Sequence, residues 1–143
     1  MRLEGKTALI TGAASGLGAS AVARFVAEGC RVCLCDIQEE EGKALAAELG
    51  DQVFFKRCNV TSEEEVAAAI DTAVERFGHL DIVFHSAGIV GAVGPISTTP
   101  ADEWRFSMDV LLNGTFYLMK HAARVMQPRK RGSIISMAST AGL

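Results

Sequence analysis

The stretch Thr11-Gly12-Ala13-Ala14-Ser15-Gly16-Leu17-Gly18 forms the first glycine-rich turn of the chain. It follows an apolar, β-rich run at residues 7–11 and precedes apolar residues at helical spacing between residues 17 and 26. Gly12 permits a tight turn, Gly16 lets the backbone approach a ligand, and the start of the helix offers free N–H groups with a partial positive charge. A strand, a glycine turn and a helix in this order predict a loop that binds the pyrophosphate of a dinucleotide.

The rest of the chain alternates short β-rich runs with amphipathic helical stretches. This alternation is typical of a parallel sheet whose strands are connected by helices. Four strands are predicted after the first one, at residues 31–35, 52–58, 81–85 and 132–138. Because such connections are right-handed, the simplest winding is a Rossmann-like doubly wound parallel sheet of five strands in the order 3-2-1-4-5. The fold class is therefore α/β, in one domain of residues 1–143.

Capping residues set the predicted helix boundaries. One helix is expected at residues 39–49, and the next begins at a capping box formed by Thr61 and Glu64. A long helix starts with Pro100 at its first position and runs to about Met126. The large apolar residues along this helix are interpreted as core rather than as a ligand pocket: Trp104, Met108, Leu112 and Phe116.

The composition excludes several classes of protein. With 49% hydrophobic and 22% charged residues, the chain is not disordered or fibrous. The 14 Lys+Arg and 17 Asp+Glu residues give a net charge of −3, which argues against nucleic acid or an anionic membrane as a partner. The basic run Arg129-Lys130-Arg131 is interpreted as a solvated loop. No secretory signal or membrane-spanning run is expected, so a cytoplasmic location is predicted.

The four cysteines are interpreted as structural thiols in a reducing compartment. Cys30, Cys33 and Cys35 are too close together in sequence to form a disulfide framework. Cys33 and Cys35 are expected on one face of a buried strand, which is favoured over a redox or metal role for Cys30-x-x-Cys33. Because neither a histidine nor a second cysteine pair occurs at ligand spacing, no metal site is predicted.

Asp36 ends the second predicted strand, eighteen residues after Gly18. A carboxylate at this place accepts hydrogen bonds from both ribose hydroxyls of adenosine. It repels a 2'-phosphate, by about 4 kcal/mol for two unit charges 4 Å apart at an effective dielectric constant of 20. NAD is therefore the expected cofactor, in preference to NADP.

The glycine spacing is Thr-Gly-x-x-x-Gly-x-Gly, and with it the chain resembles the short-chain dehydrogenase/reductase family. The resemblance extends through Cys58-Asn59-Val60-Thr61, Ala87-Gly88 and Gly132-Ser133-Ile134-Ile135. It implies that the sheet is truncated before the last strands and helices of the family. It also implies a homo-oligomer for the full-length form, with the long helix in the dimer face.

The resemblance assigns roles to individual positions. Ser139 matches the catalytic serine that holds the substrate carbonyl or hydroxyl, and Asp36 matches the residue that binds the adenosine ribose. Asn59 stands where the family usually has an aspartate facing the adenine amino group, and an amide oxygen accepts the same hydrogen bond. The implied cofactor-binding residues are Gly12, Ser15, Gly16, Leu17, Gly18, Asp36, Asn59, Val60, Ala87 and Gly88.

Three positions depart from the family pattern. His85 and Ser86 replace an Asn-Asn pair, and His85 either replaces a hydrogen bond of that pair or packs as a ring at the strand end. Leu111 stands at the position of the catalytic asparagine, and Asn113 points about 200° around the helix, so it cannot substitute. The Tyr-x-x-x-Lys pair of the family would fall beyond Leu143, so an incomplete chain is expected.

The predicted function is therefore an NAD(P)-dependent oxidoreductase. Hydride would pass between NAD and a secondary alcohol or ketone, with this chain supplying the cofactor-binding part and Ser139. The alternative is a non-catalytic module that binds a dinucleotide or a partner, which Leu111 and the missing tyrosine favour. Another Rossmann-like enzyme, such as a methyltransferase, is disfavoured by the match from Thr11 through Ser139.

Overall fold

A computed structural model describes residues 1–140 of the chain and contains one five-stranded sheet. All four strand pairings are parallel. The strands are β1 (Thr7–Thr11), β2 (Arg31–Asp36), β3 (Val53–Arg57), β4 (Ile82–His85) and β5 (Ser133–Ser136). Their order is β3-β2-β1-β4-β5, which confirms the predicted α/β fold and winding. The boundaries differ from the predicted ones by at most two residues, as is usual for element ends.

Helices cover both faces of the sheet. The longer ones are α1 (Gly16–Ala27), α2 (Glu39–Leu49), α3 (Glu63–Phe77), α4 (Ala101–Met108) and α5 (Gly114–Met126). A π-helical turn, Asp109–Asn113, joins α4 to α5. Within residues 1–140, none of the helices is both long enough and apolar enough to cross a membrane.

The core has two layers because side chains alternate between the faces of a strand. Leu9 in β1 packs with α3 and α5 on one face, whereas Ile10 packs with α1 and α2 on the other. Both side chains are completely buried. Burial of each such side chain stabilises the fold by roughly 1.5–3 kcal/mol. The central strand therefore anchors the turn that follows it.

The predicted capping box of α3 is wrong by one residue. The N-cap is Ser62, whose Oγ accepts a hydrogen bond from the N–H of Glu65 at 3.3 Å. Thr61 is not available as the cap because its N–H and hydroxyl both donate to Asn59 Oδ1, at 3.0 and 2.9 Å. The Glu65 carboxylate accepts from the N–H of Asn59, so it does not close a capping box with the N-cap residue.

The long helix predicted after Pro100 ends at Met126 as expected, but a π-helical turn divides it into α4 and α5, and Pro100 precedes its first residue. Its predicted core stripe is wrong. Trp104, Leu112 and Phe116 are more than half exposed, and Met108 is only partly buried. The buried residues of these helices are Ser107, Val110, Gly114, Leu118, Ala122 and Met126.

The basic run before β5 is exposed at Lys130 and Arg131, as interpreted, but its two arginines also contact Asp81 at the sheet. Arg129 and Arg131 each place a guanidinium nitrogen 3.3 Å from Asp81 Oδ1. Asp81 Oδ2 also accepts from the N–H of Thr7 at 3.3 Å. Although burial raises the pKa of Asp81, the bonds from Thr7 and Arg129 lower it overall. This network holds the turn against the amino ends of the strands.

Candidate functional site

A cleft of about 440 Å³ opens at the carboxyl ends of the neighbouring strands β1 and β4. This is the point where the strand order reverses, and open α/β sheets bind their ligands there. The cleft is lined by all ten residues predicted to bind the cofactor, namely Gly12, Ser15, Gly16, Leu17, Gly18, Asp36, Asn59, Val60, Ala87 and Gly88. Tertiary structure thus gathers them in one place, and their binding of a cofactor stays a prediction.

The glycine turn is packed too tightly for side chains at two of its positions. Gly12 has φ +61°, and a Cβ there would lie 2.6 Å from the backbone of Ala87. A Cβ on Gly18 would collide with the carbonyl oxygen of Gly12. The turn therefore packs directly against both the start of α1 and the loop after β4. The backbone itself therefore forms the floor of the cleft.

The start of α1 leaves hydrogen-bond donors for a ligand. The first helical bond runs from Ala19 N–H to the Ser15 carbonyl oxygen at 3.1 Å. Helix geometry therefore leaves the N–H groups of Gly16, Leu17 and Gly18 without helical acceptors. The Ser15 side chain makes no capping bond, and no acidic residue occupies the first turn. Free amides at the positive end of a helix dipole suit a pyrophosphate.

Asp36 connects the glycine turn to the second strand. Its carboxylate is 5% exposed, and Oδ2 accepts from the N–H of Ala14 at 2.9 Å. Oδ1 accepts from the backbone N–H of Gln38 at 3.0 Å and from its side-chain amide at 3.4 Å. A carboxylate has about four acceptor sites, so one remains for a ribose hydroxyl even with these three bonds in place. Release of the 3.4 Å hydrogen bond from the Gln38 side chain would free a second acceptor site.

Asn59 forms a turn with its own neighbour. Its Oδ1 accepts both bonds from Thr61, and its N–H donates to Glu65 Oε2 at 2.9 Å. An amide oxygen has two lone pairs, so an adenine amino group must displace one Thr61 bond to reach it. The backbone bond from Asn59, together with Arg57, lowers the pKa of Glu65.

His85 lies at the end of β4 and is 4% exposed. Its Nδ1 is 2.7 Å from Thr11 Oγ1, and the N–H of Ala87 donates to the same oxygen at 3.4 Å. Burial lowers the pKa of the imidazole, so the ring is neutral at neutral pH, and its Nδ1 shares a hydrogen bond with the Thr11 hydroxyl. His85 therefore replaces a hydrogen bond between the central strands, one of its two predicted interpretations. It fixes the loop that carries Ala87.

The far end of the cleft lies under the junction of α4 and α5. Leu111 is 43% exposed, and its Cδ2 would lie 3.7 Å from a Cβ on Gly88. Its carbonyl oxygen accepts the Thr115 hydroxyl at 2.8 Å. Asn113 donates its amide to Asp109 Oδ1 at 2.8 Å and does not line the cleft. An apolar side chain therefore stands where the family resemblance implies an amide.

Ser139 follows β5 at the carboxyl edge of the sheet. The N–H of Met137 donates to the His85 carbonyl oxygen at 3.0 Å, so the end of β5 is held beside the end of β4. Ser139 is exposed and is not among the described residues that line the cleft. Its catalytic role stays a prediction.

The cysteines behave as structural thiols, as predicted for Cys33 and Cys35. Their Sγ atoms are 3.6 Å apart on a buried face of β2. The Cys33 hydrogen bond and burial raise the pKa of Cys35, and burial raises that of Cys30 to about 12. Cys58 also lines the cleft, where a hydrogen bond with Cys35 raises its pKa. These three thiols are therefore protonated and unreactive at neutral pH.

Sequence reasoning missed part of the cleft lining. Gln38 and Thr61 lie within two residues of predicted site positions, so their proximity was open to sequence reasoning. Phe106 and Val110 reach the cleft from α4 and the π-helical turn, and no motif marks them. The residues not assigned to cofactor binding are Ile37, Gln38, Cys58, Thr61, Ser86, Ile89, Phe106 and Val110.

The chain is similar to known proteins over nearly its whole length. Residues 6–143 match the family model described as short chain dehydrogenase. Momilactone A synthase from Oryza sativa subsp. japonica is 49% identical over 140 residues, covering 96% of this chain and 51% of that protein. Borneol dehydrogenase, mitochondrial, from Lavandula x intermedia is 49% identical over 141 residues, covering 98% of this chain and 54% of that protein.

A solved structure extends the comparison to three dimensions. The crystal structure of NAD+-bound xylitol dehydrogenase is similar with a TM-score of 0.93 at 32% identity. The similarity covers 99% of this chain and 56% of the other. The chain spans about half the length of the relatives it matches.

Proposed function

This chain belongs to the short chain dehydrogenase family, and we propose that it is the NAD-binding part of an oxidoreductase. The observation that carries the proposal is the placement of Asp36 and the glycine turn in one cleft at the switch point of the sheet. The pyrophosphate would lie on the free amides of Gly16, Leu17 and Gly18. The ribose of adenosine would bond to Asp36, and Asn59 and Val60 would flank the adenine.

The preference for NAD over NADP rests on charge. Asp36 is buried and forms no ion pair with a described residue, so its charge acts on whatever approaches the ribose. Two carboxylate oxygens suit two hydroxyls, whereas a 2'-phosphate brings like charge into a buried site. The similar xylitol dehydrogenase structure is NAD+-bound, which supports the same cofactor here.

The proposed reaction is hydride transfer with a secondary alcohol or ketone. NAD, when bound, supplies the hydride acceptor. Ala87 and Gly88 would hold its nicotinamide end, since Thr11 and His85 fix that loop. Ser139 would donate a hydrogen bond to the substrate oxygen. Relatives named for the alcohols borneol and xylitol support this substrate class.

Calorimetric titration of the full chain with NADH tests the proposal. We expect saturable binding, weaker binding of NADPH, and about tenfold weaker NADH binding for Asp36→Asn, which loses one charged acceptor. Glu41→Gln is the matched control, because it removes one exposed charge of the same sign. Absence of NADH binding, or a preference for NADPH, would overturn the proposal.

A second candidate is a non-catalytic module that binds the dinucleotide or a partner. Leu111 favours it, because an aliphatic side chain cannot replace the amide that the family uses in proton transfer. Bound NADH together with no oxidation of any secondary alcohol by the full-length protein would support this candidate. Turnover of a secondary alcohol by the full-length protein with its natural leucine would exclude it.

The remaining proposals concern partners and location. We propose a homo-oligomer for the full-length form, because Leu112 and Phe116 are exposed on the helical face. We also propose a cytoplasmic location. One relative is instead named as mitochondrial. Nucleic acid is not proposed as a partner, given the net charge of −3.

A further inference from the structure

A cluster of four charged residues lies at the carboxyl end of β3 and the starts of α2 and α3. Arg57 ends β3 directly opposite Asp36 in the strand register. Its Nη1 lies 2.7 Å from Glu65 Oε2, and its Nε lies 3.7 Å from Glu39 Oε1. Glu39 also accepts from Lys43 at 2.9 Å. The guanidinium therefore faces two carboxylates that lie at the starts of α2 and α3.

The pairing of Arg57 leaves Asp36 without a cation. Residues in register on neighbouring strands are about 4.8 Å apart, and their side chains project to the same face of the sheet. Arg57 is thus the cation that the strand register brings nearest to Asp36. Among the described residues, however, Asp36 forms no ion pair, because Arg57 is bound to Glu39 and Glu65. The remaining acceptor site of Asp36 is therefore not occupied by a cation and is open to a hydroxyl group.

The same pairing bears on a 2'-phosphate. A phosphate monoester carries a charge of about −1.5 to −2 at pH 7, and a guanidinium is its preferred protein partner. We propose that Glu39 and Glu65 determine coenzyme selectivity together with Asp36, because they hold the guanidinium of Arg57 that would otherwise bind a 2'-phosphate. This inference rests on the proposed binding of NAD. Arg57, Glu39 and Glu65 act on selectivity by charge and position.

Glu39 is a better residue to substitute than Glu65 in a test of this network. Glu65 also accepts the N–H of Asn59, so a change there disturbs the adenine end of the cleft. Glu39 is 44% exposed, so Glu39→Gln leaves the packing intact. It removes one of the two carboxylates that are paired with Arg57. Loss of an exposed ion pair changes stability by about 1 kcal/mol or less. Folding of the variant is therefore not at risk.

The experiment measures the ratio of NADPH to NADH affinity by calorimetry at low salt. Asp36→Asn alone is expected to weaken the binding of NADH. The binding of NADPH should remain weak, because Arg57 remains paired. Asp36→Asn with Glu39→Gln is expected to raise the ratio by about a further threefold, because the exposed Glu39 pair holds the guanidinium only weakly and Glu65 still contacts it. Adding Arg57→Gln to that pair should remove the gain, and high salt should reduce it.

The matched control is Asp36→Asn with Glu41→Gln, which carries the same net charge without touching Arg57. An equal gain in this control, or a gain that persists after Arg57→Gln, would overturn the inference and leave the proposed function intact. Failure of the wild-type chain to bind NADH would instead overturn the proposed function. The selectivity inference would fall with it.

Discussion

The two flanks of the sheet differ in how completely they are covered. Every residue of β1 is buried, and in β2 only Arg31 is partly exposed, whereas all four residues of β5 are exposed. The flank with β1, β2 and β3 carries the glycine turn and Asp36 and is covered by helices on both faces. The flank with β4 and β5 carries Ser139 and Leu111, and it presents apolar side chains to solvent. Stability and cofactor binding are thus expected to depend mainly on the first flank.

The largest expected effect is a contrast in unfolding free energy between Leu34→Ala and Ile135→Ala. Leu34 is fully buried in β2, so its truncation leaves a cavity and costs about 3 kcal/mol. Ile135 is 44% exposed in β5, and its truncation should cost less than about 1 kcal/mol. Urea unfolding monitored by circular dichroism measures both. A cost at Ile135 equal to that at Leu34 would mean that β5 is covered in solution.

Gly18→Ala should have the next largest effect, since its Cβ would collide with the Gly12 carbonyl oxygen. Such overpacking costs about 2 kcal/mol and should abolish NADH binding in the calorimeter. Gly78→Ala is the control, because its Cβ meets nothing within 4 Å although φ is +83°. It should lose about 1 kcal/mol and retain NADH binding. Retained NADH binding by Gly18→Ala would contradict the packing of the turn.

His85 should make stability depend on pH at the boundary between the two flanks. Its pKa is lowered by burial in the folded chain, so the unfolded chain protonates first as the pH falls. The stabilisation is complete above about pH 6.5 and is lost as the pH falls below that value toward the folded pKa. At neutral pH, His85→Asn should change the unfolding free energy by about 1 kcal/mol.

The pH profile separates this effect from a simple loss of packing. His85→Asn should reduce the slope of unfolding free energy against pH below about pH 6.5. The difference between the two chains isolates position 85, because every other residue is the same in both. An unchanged slope would show that His85 does not titrate on unfolding.

The smallest effect on stability is expected from Phe116→Gln, because this side chain is 56% exposed. The unfolding free energy should change by about 0.5 kcal/mol or less. Self-association, measured by sedimentation velocity over a concentration series, should weaken if the helical face forms the interface. Val93→Gln is the control, an apolar residue that is 76% exposed in the loop before α4. Equal weakening by both variants would argue against that face.

Much of the cleft could be predicted because its residues lie at or just after the ends of strands. Gly12, Asp36 and Ala87 all occupy such places, and parallel strands present their carboxyl ends at one edge. Gly18 and Asn59 could also be predicted to lie in the cleft, because each belongs to a motif that follows a strand. The contacts of Asp36 were not predictable, since it accepts from Ala14, 22 residues earlier in the chain, only once β1 and β2 have paired.

The helix before β5 shows where sequence patterns failed. Two parallel stripes at helical spacing run along it, and hydrophobicity favours the one with Trp104 and Phe116. The sheet instead receives the stripe with Gly114 and Ala122, because small residues let the helix approach closely. A Cβ on Gly114 would lie 3.1 Å from Val60. Hydrophobic periodicity depends only on which residues are apolar. It contains no information on how closely the helix must approach its neighbours.

The order of residues along the chain was enough to establish the alternating strands and helices, the parallel sheet and the chemistry at its strand ends. These features depend on local conformational preferences and on the handedness of connections, both of which are written in short segments. Folding in three dimensions settled which helical face is buried, which carboxylates hold Arg57 and what His85 contacts. Those outcomes depend on distances between segments far apart in the chain, and a linear pattern carries no such distances.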